Sequence, residues 1–138
     1  MDITVETTVD APLSTVWQCW TAPEHITQWN FAADTWHCPS ATNDVRIGGQ
    51  FSWRMEAKDG SAGFDFKGTY TEVEQERLLV YTIEDGRPVR ISFVQNENSV
   101  TILETFEAEN LHTAEQQREG WQAILEHFRR HVELLSAK

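Results

Sequence analysis

Of the side chains in this sequence that could do chemistry, Glu104 has the least ordinary setting. It falls in the run Val100, Ile102, Glu104, Phe106, where alternate positions are apolar except for this one carboxylate. A carboxylate on an apolar strand face is costly unless it finds a partner or orients the polar group of a ligand. An edge strand or a bulge would instead let it reach water. Arg54 and Arg90 are candidate partners, although both suit a solvated outer face better. On the buried reading, replacing Glu104 with glutamine weakens a bound ligand or, where only structure is at stake, leaves the fold intact or firmer.

Imidazoles and thiolates hold zinc or copper when they converge. His37 and Cys38 are adjacent in an irregular stretch, with Cys19 and His25 upstream. No CxxC accompanies them, so spacing favours a packed loop histidine and a buried free cysteine, with no metal bound. His127 and His131 stand at i, i+4 but flank an apolar stripe beside Arg129 and Arg130, and read as surface histidines. There is no nucleophile elbow, phosphate loop or metalloprotease helix motif, and neither thiol has a base at a legible spacing. The sequence therefore offers no catalytic residue and calls for no cofactor.

Rings are the other resource, with six tryptophans and seven phenylalanines in 138 residues. Trp53, Met55, Phe64, Phe66 and Tyr70 share period-two faces, as do Tyr81, Phe93 and Phe106. These faces describe either a core or a concave surface on which a flat ligand stacks. Trp121, Leu125 and Phe128 would close such a surface from a helix.

The elements that must position these residues are legible from periodicity. Ile3, Val5, Thr7 and Val9 alternate as a half-buried strand that ends at Ala11-Pro12. Leu13, Val16, Trp17 and Trp20 recur at helical spacing. Thr21 to Glu24 reads as a capping box with proline in the first turn of a second short helix ending near Trp29. Phe31 to Asn43 reads as irregular. Strands resume with Val45, Ile47, Phe51, Trp53 and Met55, and a turn or bulge is expected at Gly48-Gly49. Asp59-Gly60 and Asp85-Gly86 are hairpin turns between the runs Phe64–Val73, Leu78–Ile83 and Val89–Val94. Asn96-Glu97-Asn98 marks another reversal before Val100–Phe106. Thr113 to Gln116 is a capping box for a long helix with an apolar stripe at Trp121, Ile124, Leu125, Phe128, Val132 and Leu135. Gly120 interrupts that helix, either for a close contact or as a tolerated glycine. The order gives an α+β domain over residues 1–138, with a curved, mostly antiparallel sheet of about six to seven strands, two short helices after the first strand and a long C-terminal helix.

The net charge of −11 repels phosphate backbones and anionic lipid surfaces, which argues against nucleic acid and membrane partners. Met1 to Thr8 alternates and carries acids, unlike a secretory leader, and a cytoplasmic location is expected. The two cysteines are expected to be free thiols.

Several stretches, in this order, carry a family likeness: Ala11-Pro12 through Val16-Trp17 and Trp20; Pro23-Glu24-His25-Ile26 to Trp29; Asp44-Val45-Arg46-Ile47-Gly48-Gly49; Gly68-Thr69-Tyr70 with Glu76-Arg77-Leu78; and Gly120-Trp121. Together they resemble the START-like, or Bet v 1-like, helix-grip (SRPBCC) superfamily. Within it they resemble the bacterial branch similar to the C-terminal domain of activators of the heat-shock-protein-90 ATPase. Trp29-Asn30-Phe31 to Pro39 and Glu104-Thr105-Phe106 look like a narrower subgroup. The resemblance implies a sheet gripping the last helix around a hydrophobic cavity, used elsewhere in the superfamily for lipids, sterols, polyketides or plant phenolics. Eukaryotic activators act largely through a further N-terminal domain with an asparagine- and tryptophan-rich motif, and the stretches that carry the likeness do not include it, so the resemblance implies chaperone activation less directly than ligand binding.

The expected function is binding of a small apolar or aromatic molecule between sheet and helix by Trp53, Met55, Phe64, Phe66, Tyr70, Tyr81, Phe93, Glu104, Phe106, Trp121, Leu125 and Phe128. A cavity of roughly 300 to 1,000 Å³ would support it, and a filled core with an exposed apolar patch would support a partner surface. The alternatives are a stress-response or chaperone-interaction module, and a metal-responsive protein using His37 and Cys38.

Overall fold

The computed structural model describes residues 1–137. In chain order the elements are β1 (Asp2–Val9), α1 (Leu13–Thr21), α2 (Pro23–Trp29), β2 (Trp36–Asn43), β3 (Gln50–Ala57), β4 (Gly63–Glu74), β5 (Leu78–Ile83), β6 (Pro88–Gln95), β7 (Val100–Glu107) and α3 (Ala114–Ser136). One seven-stranded sheet runs β1-β7-β6-β5-β4-β3-β2. Every neighbouring pair is antiparallel, and the sheet curls into a half-barrel.

Side-chain alternation decides which face turns inward. β1 buries Ile3, Val5, Thr7 and Val9, and its partner β7 buries Val100, Ile102, Glu104 and Phe106. α3 lies against β1, α1 and α2 and buries Leu125, Phe128 and Val132 completely. Each such side chain removed from water contributes about 1.5 to 3 kcal/mol, which exceeds anything intrinsic propensity gives the helix. Thr113 caps it as expected: its hydroxyl accepts from the Gln116 N–H while the Gln116 side chain accepts from the Thr113 N–H.

Two expectations about local structure are corrected. Residues 36–43 form strand β2, where the sequence reads as irregular. β2 is an edge strand whose pairing with β3 slips between His37 and Ser40, and the interruption falls at Cys38-Pro39. Proline has no N–H for a ladder and is tolerated at an edge or bulge, which hides such a strand from pattern reading. The second correction is the N-terminus of α2. Ala22, not Thr21, is the cap residue and no side chain caps it, because the Thr21 hydroxyl turns back to the Trp17 carbonyl at 2.8 Å. Pro23 still opens the helix, its fixed φ suiting the first turn.

Glycines meet two different needs. Gly48 takes φ +84° in the β2–β3 connection, where the turn was expected. Gly68 in β4 leaves space for Phe51: a Cβ there would lie 2.6 Å from the Phe51 ring and 2.7 Å from the Thr82 carbonyl oxygen. Around Gly120 a Cβ would meet nothing within 4 Å, so no close contact requires it. No helix among the described residues is long and apolar enough to cross a membrane.

Candidate ligand-binding site

The concave face leaves a cavity of about 180 Å³ between the sheet and the helices. That lies below the range expected from the sequence. β3 turns Trp53 and Met55 into it, β4 supplies Phe64 and Phe66, β5 Tyr81 and β7 Glu104. The helical side is Trp20 of α1, Trp29 at the end of α2 with Asn30 just beyond it, and Trp121 and Ile124 of α3.

Neighbours hold these rings. Trp53 stacks on Phe66 with centroids 5.6 Å apart and planes at 14°. Trp121 stacks on Phe106 at 3.9 Å and 10°, so Phe106 backs the wall without lining it. Trp20 and Trp29 each meet Phe128 edge-on at 4.8 Å, and the Trp29 indole N–H donates to the Cys19 carbonyl at 2.9 Å. Such offset and edge-on pairs add about 0.5 to 1.5 kcal/mol each beyond burial and fix the walls before any ligand arrives.

Three polar groups interrupt the apolar lining. Glu104 is 6% exposed, and burial alone pushes its carboxyl up to about 8 from an ordinary 4.5. It is therefore a protonated, neutral acid at neutral pH. Arg54, named as a candidate partner, instead bonds Glu56 at 2.8 Å and reaches Asp65, and Arg90 is exposed. The other two groups are the Asn30 amide nitrogen and the Trp53 indole nitrogen, both buried and without a hydrogen-bond partner among the described residues. Tyr81 is kept a neutral phenol, its hydroxyl raised well above the usual value first by burial and, at pH high enough to ionise Glu104, then by that carboxylate. Buried donors are nearly always satisfied in native proteins, so two unpartnered donors and a neutral carboxylic acid in one small apolar cavity are an unusual concentration of unmet polar groups.

The structure brings seven of the twelve residues named from sequence to this pocket: Trp53, Met55, Phe64, Phe66, Tyr81, Glu104 and Trp121. The other five pack behind it. Phe106 and Phe128 support rings of the wall, Phe93 meets Trp17 and Trp20, and Leu125 is wholly buried. Tyr70 donates to the Asn43 side-chain oxygen at 2.6 Å and packs on Phe51 and Tyr81. Sequence reasoning did not name Trp20, Trp29, Asn30 and Ile124 as lining. Trp20 and Ile124 were visible as helical stripe residues and Trp29 only as the end of the second short helix, and periodicity gives a face and not the neighbour across it.

The histidines and cysteines are arranged differently from expectation. His37 lies on β2 with Nε2 3.8 Å from Glu56, and Cys38 is buried with its thiol toward the Ser40 carbonyl. His127 and His131 are not free surface groups. His127 Nδ1 donates to the Phe31 carbonyl, and His131 Nε2 lies 3.0 Å from His25 Nδ1. One ring nitrogen each of His25 and His131 and the thiol of Cys19 all lie within 4.8 Å of one another. Both cysteines are free, and burial pushes each thiol up to about 11.

A half-barrel sheet gripping a long helix around a ring-lined cavity defines a domain of the helix-grip, SRPBCC type. The family model described as "Activator of Hsp90 ATPase homolog 1-like protein" matches residues 10–133, and the chain belongs to that family. It is similar to the solution structure of an AHSA1-like protein from Aeromonas hydrophila, with 41% identity, a TM-score of 0.93, and coverage of 100% of this chain and 96% of that one. A protein from Cytophaga hutchinsonii is 46% identical with a TM-score of 0.84, covering 97% and 93% of the two chains. A protein from Nitrosomonas europaea shares the fold at 19% identity, with a TM-score of 0.82 and coverage of 100% and 97%. No curated protein matches the sequence.

Proposed function

We propose that the chain is a small-molecule binding protein whose ligand is an aromatic compound of one or two rings carrying an oxygen acceptor. The observation that carries this reading is the coincidence, in one apolar cavity, of Glu104, the Asn30 amide nitrogen and the Trp53 indole N–H, none with a hydrogen-bond partner among the described residues. The size supports it: a dry cavity of roughly 150 Å³ lined by apolar side chains takes up benzene, and this one measures about 180 Å³. A sterol or long acyl chain would need the walls to part. A carbonyl, carboxylate or phenolic oxygen on the ligand would accept from the orphan donors, while Glu104 as a neutral acid would not repel an anion. The charge of −11 favours such a molecule over nucleic acid or membrane as partner, and we place its action in the cytoplasm.

Native mass spectrometry of freshly expressed protein tests the proposal for a co-purified compound, and titration of a benzoate- and phenol-rich library with tryptophan fluorescence as readout tests it directly. Quenching that saturates at one equivalent, and weakens in Glu104→Gln or Trp53→Phe, is expected. A folded protein that binds no member of the library overturns it. A chaperone-interaction role rests on the family description alone, and an Hsp90 ATPase assay with added protein tests it: stimulation would favour that role.

A further inference from the structure

We infer that Cys19, His25 and His131 form a binding site for a zinc-class divalent ion, with three protein ligands and a fourth position open to solvent. The site is separate from the ligand pocket, and the inference stands whether or not that pocket takes an aromatic molecule.

The geometry carries the argument. Zinc-to-nitrogen bonds near 2.05 Å and a zinc-to-sulfur bond near 2.3 Å place tetrahedral ligand atoms about 3.3 to 3.6 Å apart. The two ring nitrogens already face each other at 3.0 Å, and all three donor atoms lie within 4.8 Å. The nitrogen pair must open by a few tenths of an ångström and the thiol close in by up to about 1.2 Å, a movement that side-chain rotation can supply. Each ligand stands on a different helix, α1, α2 and α3, whose packing is fixed by Trp20, Trp29 and Phe128 around the same joint. The donors are therefore held by the fold and not by a flexible loop, as a site of stable affinity requires. Cys19 is buried while both histidines are half-buried, which sets the soft sulfur inside and leaves the imidazole side open to water.

The donor set selects the ion. One thiolate and two imidazoles suit zinc, cobalt or copper and not magnesium or calcium, which take oxygen ligands. Proton balance is simple. One of the facing ring nitrogens carries the hydrogen shared between the histidines, and on metal binding that proton moves to the ring's outer nitrogen, so both rings stay neutral. The thiol loses its proton to solvent, one per ion bound.

The test uses the full chain, stripped with a chelator, and cobalt(II) and zinc(II) as probes. Cobalt is expected to give tetrahedral visible bands together with a near-ultraviolet thiolate charge-transfer band, which zinc then displaces. Cys19→Ser should abolish the charge-transfer band. His25→Gln and His131→Gln should each weaken zinc binding by roughly tenfold or more, since even outer-shell changes cost that much. Both are half-buried, so they test the site should Cys19→Ser fail to fold by circular dichroism. The double variant His37→Gln/Cys38→Ser should bind as the parent does. No zinc bound at micromolar free ion, binding unchanged in His131→Gln, or a charge-transfer band that depends on Cys38 each overturns the inference and leaves the histidine pair as a structural hydrogen bond.

Discussion

Glu104→Gln separates the structural from the solvated reading of this carboxyl through the pH dependence of stability. In the folded chain the carboxyl titrates at about 8, against 4.5 ordinarily. Between those values the folded state keeps a proton that the unfolded state has released. Folding then takes up a proton, so stability is fully present below the lower value and falls as pH rises, by about 1.4 kcal/mol per pH unit. Across the whole window the loss approaches about 5 kcal/mol, a large share of the 5 to 15 kcal/mol typical of a domain. Glutamine keeps the shape and removes the titration. His131 works in the opposite direction, since its depressed basicity makes stability rise with pH near its ordinary 6.5, but it is common to both proteins and cancels in their difference. Urea unfolding followed by tryptophan fluorescence, at steps from about pH 5 to about pH 8, should give near-equal stabilities at the acid end. At the upper end the variant should be more stable by about 3 to 5 kcal/mol. Parallel curves for the two proteins would mean that the carboxyl ionises normally, and the account of a neutral acid in an apolar pocket would fall.

Two glycines give opposite expectations from the same substitution. Gly68→Ala should cost about 1 to 3 kcal/mol by urea unfolding, because the Phe51 ring it would strike at 2.6 Å is itself pinned by Trp53, Tyr70 and Tyr81. Gly120→Ala should stabilise by about 0.5 to 1 kcal/mol and raise the melting temperature, since the new methyl meets nothing within 4 Å and the helix gains propensity.

Legibility in the sequence followed the strength of the local pattern. The hairpin turns at Gly60 and Gly86, both with positive φ, and the Thr113 capping box are short-range devices that depend on residues within a few positions, and they were read correctly. The stripe of α3 was legible because one helix face meets one core. Strand β2 was not, since its bulge and Pro39 break the alternation on which strand reading depends. The Cys19, His25 and His131 cluster was out of reach for a different reason. His25 and His131 are 106 residues apart, and only the docking of α2 on α3 brings them together. Adjacency instead drew attention to His37-Cys38 as the metal alternative, which spacing disfavoured, and residues next to each other on a strand tend to point to opposite sides.

The pocket was half legible, and the division has a physical cause. Period-two faces can be assigned within a strand, so Trp53, Tyr81 and Glu104 were recognised as sharing an interior. Whether a buried ring touches a cavity or another ring depends on how two elements are offset, which no single periodicity contains; hence Phe106 and Phe128 back the wall while Trp20 and Trp29 form it. What did survive was the conflict. A chain selected for stability alone would have a valine at 104 and would leave neither the Asn30 amide nor the Trp53 N–H without a partner. Such departures from local consistency gather where a fold does something besides hold together. Here all three gather in one cavity, and the first of them was already visible as a lone carboxylate among Val100, Ile102 and Phe106.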